Sequence, residues 1–160
     1  MSRASGYAAA TMTVTVKEAI TLNSKDYGST QTYTFPSIAN VNRRITTITT
    51  TEATIMTFSS AVGPGQYVPA KVRYMRFTNL DATNHIVLTF ANENDDEVAI
   101  KLDAGQSFVW NGDSSGGMVD VLDAIDGTGL SLSLGDMKSV TADADTASCD
   151  MEVFVAEIVG

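Results

Sequence analysis

Apolar and polar residues alternate with a period of two along much of the chain, and no amphipathic stretch of ten or more residues stands out at a period of 3.6. In MTVTV at 12–16, Val14 and Val16 fall on one side and Thr13 and Thr15 on the other, as in a strand with one buried face. KVRYMRFTNLDATNHIVLTF at 71–90 places two apolar-rich runs around Leu-Asp-Ala-Thr-Asn and reads as a hairpin. In its second run Ile86, Leu88 and Phe90 alternate with His85, Val87 and Thr89. EVAIKL at 97–102 directs Val98, Ile100 and Leu102 inward, and LSLSL at 130–134 sets three leucines against two serines.

Turn-forming residues separate these runs: Asp26-Tyr27-Gly28, Gly63-Pro64-Gly65, Asn79 to Asn84, Asn92 to Asp96, Asp103-Ala104-Gly105, Asn111-Gly112-Asp113, Gly116-Gly117 and Asp126-Gly127. Short one-sided strands at such spacing predict an all-β fold: one antiparallel β-sandwich spanning residues 1–160, with a jelly roll as one form it can take. Fourteen of the twenty threonines precede residue 60, and threonine favours extended backbone without demanding burial. A Thr-rich extended N-terminal region is therefore expected, either as an arm that pairs with a neighbour or, the reading preferred here, as part of the same sandwich. MSRASGYAAA at 1–10 has little to bury and is expected to be a flexible arm.

At 160 residues and 44% hydrophobic content the chain has the size and composition of one globular domain. No apolar run approaches the roughly 20 residues of a membrane helix, and the first residues lack the apolar stretch of a secretory signal. The net charge of −9 is unevenly placed: residues 1–90 hold eight Lys/Arg and four Asp/Glu, and residues 91–160 hold two and fifteen. An acidic second half repels phosphate backbones, so no nucleic-acid partner is expected there. The asymmetry serves either solubility or the meeting of basic and acidic faces of neighbouring copies.

Candidate chemistry is sparse. His85, the single histidine, has Asp81 and Thr83 close in sequence, but its alternation with Thr89 puts it on a polar face and no Gly-x-Ser-x-Gly elbow accompanies it. Cys149 is alone, which excludes an intramolecular disulfide, and it reads as a buried inert thiol. The acidic stretches around Asp95, Asp120, Asp123, Asp126, Asp143 and Asp145 do not match the spaced calcium-loop pattern, and solvated loops are the better reading. GDSSGG at 112–117 lacks a P-loop lysine and reads as a flexible surface loop. Trp110 is a candidate ligand platform, although its phase with Phe108 favours packing. No catalytic residue, cofactor or metal is expected.

VRYMRFTNLDATNHIVLTF, LDAGQSFVWNGD and LSLGDMKSVTADADTASCDMEVFVA together resemble small virion structural proteins of tailed phages, notably short-tailed phages of marine bacteria and cyanobacteria. The likeness covers mainly residues 66–160, with a looser match in TVTVKEAITLNSKDYGS at 13–29. It implies a non-enzymatic virion protein, made in the host bacterial cytoplasm and present in many copies on the particle exterior. Capsid decoration is the first expectation, a tail ring or fibre adaptor the second, and a carbohydrate- or receptor-binding module the third. Its expected partners are capsid or tail proteins and further copies of itself, as a homo-oligomer, without nucleic acid or membrane. On charge and loop position, Tyr67, Lys71, Arg73 and Arg76 are the candidates for docking on an acidic neighbour, and Asp95, Asp96 and Glu97 for facing the basic side of another copy.

Overall fold

A computed structural model describes residues 8–60, 63, 65–124 and 133–158. Among these residues the chain forms β1 (Ala10–Glu18), β2 (Thr21–Leu22), β3 (Lys25–Asp26), β4 (Ser29–Ile48), β5 (Ala53–Phe58), β6 (Gln66–Tyr67), β7 (Val72–Asn79), β8 (Ile86–Asn92), β9 (Glu97–Leu102), β10 (Ser107–Asn111), β11 (Met137–Ala144) and β12 (Cys149–Ile158). The only helical piece among them is a 3₁₀ turn at Pro69–Lys71. Two five-stranded sheets result, ordered β1-β4-β12-β7-β10 and β6-β5-β11-β8-β9, and β2 pairs with β3 in a small hairpin.

The pairing is nested. The second half of β4 pairs with β12, β5 with β11, β7 with β10 and β8 with β9, all antiparallel. The chain thus runs as one long hairpin with its tip between β8 and β9, rolled so that successive pairs fall alternately in the two sheets. That is the strand order of a jelly roll, and the sandwich expected from the sequence is the fold observed.

Inward positions of both sheets build the core. Ile86, Leu88 and Phe90 of β8 meet Met75 and Phe77 of β7, Val140 and Ala142 of β11, and Met151, Val153 and Val155 of β12. Five of the seven methionines are fully buried here, where an unbranched, polarizable side chain fills the irregular gaps between two twisted sheets. Phe90 centres an aromatic group, edge-on to Phe77 at 5.8 Å and to Trp110 at 5.1 Å between ring centroids.

β4 does two jobs. Its residues 38–48 pair with β12, whereas 29–35 pair only with β1. The change falls at Pro36 and Ser37, where the register with β1 shifts and Ser37 takes φ +63°. Proline has no N–H for the ladder, and a bulge bends the strand that carries it. Beyond that bend β1 and β4 form a two-stranded ribbon tipped by β2 and β3. The base of the ribbon packs on the outer face of the first sheet: Met12, Val14, Phe35 and Ile38 cluster with Tyr74, Phe154, Ala156 and Ile158.

Four expectations fall partly or wholly outside the described residues: the flexible arm at 1–10, of which 1–7 are not described; the Gly63-Pro64-Gly65 turn, of which Pro64 is not; the LSLSL strand, of which 130–132 are not; and the whole Asp126-Gly127 turn. Of the first stretch, Ala10 already belongs to β1. GDSSGG is not a free loop. Asp113 Oδ1 accepts hydrogen bonds from Ser115 N (2.6 Å), Ser115 Oγ (2.8 Å) and Gly116 N (3.2 Å). Gly117 has φ +65°, and a Cβ there would stand 2.5 Å from the Pro69 carbonyl oxygen, so this loop lies tight against the 3₁₀ turn.

Candidate interaction surface

The proposed basic docking set does not assemble. Arg73 is 4% exposed. Its guanidinium donates to three backbone carbonyls, Nη1 to Ala70 (2.6 Å), Nε to Ser114 (3.1 Å) and Nη2 to Ser115 (3.3 Å), clamping the 112–117 loop to the 3₁₀ turn. Tyr67 is 3% exposed, with its ring 6.1 Å from that of Phe58, and burial raises its phenol above the ordinary value. Both positions are corrections to the sequence reading: these side chains belong to the interior of the chain and do not present a docking face. Lys71 closes the 3₁₀ turn and is half-buried.

Arg76 lies on the outer face of the first sheet, but it is not a free cation. It pairs with Glu152 Oε1, bonds Thr78 Oγ1, and lies 5.8 Å from the Phe154 ring centroid. Arg43 completes the group, donating to Glu152 Oε2 from Nε (3.0 Å) and Nη2 (2.8 Å). Hydrogen bonds from Arg76 and then Arg43 hold the Glu152 carboxyl below the usual glutamate range. This Arg43–Glu152–Arg76 bridge is not legible from local sequence, because its members come from three strands far apart along the chain.

On the other sheet, Asp95, Asp96 and Glu97 lie at the β8–β9 turn. Asp95 pairs with Lys138, Asp96 accepts a hydrogen bond from Asn92 Nδ2 (3.0 Å), and Glu97 is exposed. Asn92 organises this turn: its buried side chain also bonds Leu122 O (2.7 Å) and receives Asn94 N and Asp96 N, each at 2.9 Å. Trp110 is half-buried, edge-on to both Phe90 and Phe108, and belongs to the core periphery.

The stretch around His85 is not the hairpin expected from the sequence: β7 pairs with β12 and β10 in one sheet and β8 with β11 and β9 in the other, so the turn between them crosses from sheet to sheet and is held by its own side chains. Asp81 Oδ1 accepts Thr83 N (2.8 Å) and Asn84 N (2.6 Å), which lowers its carboxyl pKa. His85 Nδ1 stands 3.4 Å from Asp145 Oδ2. Cys149 Sγ lies 3.9 Å from the backbone carbonyl oxygen of His85. Burial and the nearby Asp81, Asp145 and Asp150 raise the thiol pKa, the reverse of what a nucleophilic thiolate needs. Among the described residues no group of three or more His, Cys, Asp or Glu is placed to hold a metal ion, and no helix is long and apolar enough to cross a membrane.

Beside the Arg43–Glu152–Arg76 bridge, the outer face of the first sheet presents uncovered apolar side chains. Arg44 reaches inward to the Ile55 carbonyl and Ile48 is in the core, so the alternate residues Val41 and Ile45 point outward, at 50% and 64% exposure. Val109 of β10 is also exposed, as are Val16, Ile20, Leu22, Tyr27 and Tyr33 of the ribbon. Met12, Thr13, Val14 and Thr15 on the ribbon side, and Tyr74, Arg76 and Phe154 on the sheet side, line a groove of about 310 Å³. Apart from Arg76, none of these residues is among the contact candidates expected from the sequence. The signal of this surface was Val41 and Ile45 in phase across the charged pair Arg43-Arg44.

No family model matches the chain, and no curated protein matches it. A solved structure described by the words "Bacillus endospore appendages form a novel family of disulfide-linked pili" is similar at a TM-score of 0.45 and 10% identity, covering 76% of this chain and 87% of that chain. A likeness at that level carries no argument about this chain.

Proposed function

We propose that this chain is a non-enzymatic structural protein of a phage virion, an accessory subunit present in many copies on the particle exterior. Capsid decoration is the first placement, and a tail ring or fibre adaptor the second. The observation that supports this reading most is the contact surface: a ribbon that stands off the sandwich and a sheet face with Val41 and Ile45 turned outward. An apolar surface rimmed by polar groups marks a site of protein contact. The strand-and-turn likeness of residues 66–160 to phage virion proteins supplies the kind of partner.

Density-gradient fractionation of a phage lysate, probed with antibodies to this chain, tests the reading. Co-sedimentation with infectious particles in many copies is the expected result; confinement to the soluble fractions overturns it. The carbohydrate-module reading has no observation in its favour, because Trp110 packs edge-on in the core periphery. Saturable glycan binding abolished by Trp110→Ala, with the fold intact, would restore that reading.

A further inference from the structure

We infer that the outer half of the β1–β4 ribbon is a self-docking element, whose apolar face seats on the Val41–Ile45 surface of a second copy. This deepens the multi-copy reading above and rests on it. The ribbon has two unlike faces. Its register sets Met12 opposite Phe35, Val14 opposite Tyr33 and Val16 opposite Gln31. Side chains directly across a pair share a face, so these residues form one stripe. Thr13 with Thr34, Thr15 with Thr32 and Lys17 with Thr30 form the other.

The apolar stripe is covered at one end only. Met12, Val14 and Phe35 pack on the body of their own chain through Tyr74 and Phe154. Further out, Tyr33 and Val16 are exposed, and Ile20, Leu22 and Tyr27 carry the exposed apolar surface on to the tip. A two-stranded ribbon by itself is marginal in water and needs a surface to pack on.

A second copy is the occupant that fits. The base of the ribbon already packs on the outer face of the first sheet, and Val41 and Ile45 continue that face uncovered. Charge agrees. The whole chain carries −9, which sets copies against one another, but in residues 10–37 Lys17 and Lys25 balance Glu18 and Asp26. The ribbon is therefore a neutral element that can approach an acidic body without like-charge repulsion, and the charges on its landing face are already paired in the Arg43–Glu152–Arg76 bridge. Because ribbon and face are different surfaces, the contact is heterologous and joins copies head to tail in a ring or a chain.

Sedimentation velocity on the full chain tests this with two variants, Val16→Ser/Tyr33→Ser in the ribbon and Ile45→Asp on the face. All three positions are solvent-exposed, so circular dichroism and the unfolding midpoint should stay at wild-type values. The wild type should assemble with rising concentration, and each variant alone should remain monomeric. An equimolar mixture of the two should form dimers and nothing larger, the intact ribbon of one seated on the intact face of the other. A wild type that is monomeric throughout, variants that still assemble, or a mixture that stays monomeric would each overturn the inference. A monomeric wild type that still co-sediments with particles would sink the self-docking contact alone. Assembly without particle association would sink the virion reading alone.

Discussion

Three carbonyl oxygens converge on the part-buried guanidinium of Arg73, and removing it takes the donor from all three and releases the 112–117 loop from the 3₁₀ turn. Arg73→Met should therefore cost about 3 kcal/mol in chemical denaturation, with faster amide exchange at 114–117; an unchanged midpoint would show the loop to be held without it. Two glutamates of β12 act in opposite senses with pH. The Glu152 carboxyl is held low by Arg76 and Arg43, so its contribution is full above the unfolded-chain value and lost as pH falls through the lower folded value. Burial raises Glu157, against a 2.7 Å hydrogen bond from Asn40 and the charge of Lys71. Its contribution is full below the unfolded-chain value and lost as pH rises through the higher folded one. Unfolding midpoints across acid to neutral pH should then show a shallower acid-side loss for Glu152→Gln than for wild type. Glu157→Gln should raise the midpoint at neutral pH and converge with wild type in acid. Parallel profiles for all three proteins would contradict both assignments.

The elements divide by whether their apolar face is covered, and this is also where the sequence could and could not be read. Ile86, Leu88 and Phe90 alternate in the sequence and are buried in β8 as that alternation requires; Phe108 and Trp110 are likewise in phase and packed. Val14 and Val16 alternate equally well, yet Val16 is exposed, because a period of two reports which residues share a face and not what lies against it. Arg73 and Tyr67 were illegible for a related reason: an arginine bound to carbonyls of a remote loop has the same local sequence as one facing water. The nested strand pairing depends on contacts between the two ends of the chain, such as β4 with β12, which no local pattern encodes. Because the outer ribbon touches little of the core, replacing residues 17–30 with an Asn-Gly turn should change the unfolding free energy by less than about 0.5 kcal/mol. Thermal and urea unfolding of that variant check this, and a large loss of stability would make the ribbon part of the fold's foundation.

Taken whole, the molecule joins an acidic jelly-roll body to a neutral ribbon, with Val41 and Ile45 left uncovered on either side of Arg43 on one sheet. A subunit that must meet the same neighbours many times needs broad, repeatable contact surfaces. The ribbon and the Val41–Ile45 strip have that character, while His85, Cys149 and the acidic turns are occupied in local structure. Immunogold electron microscopy of purified particles, with antibodies to this chain, asks the central question most directly. The account predicts label on the particles, spread over the heads for a capsid-decoration subunit, whereas label at a single vertex would place the same protein in the tail ring. Particles that carry no label, beside positive soluble fractions from the same gradient, would contradict the assignment to the virion.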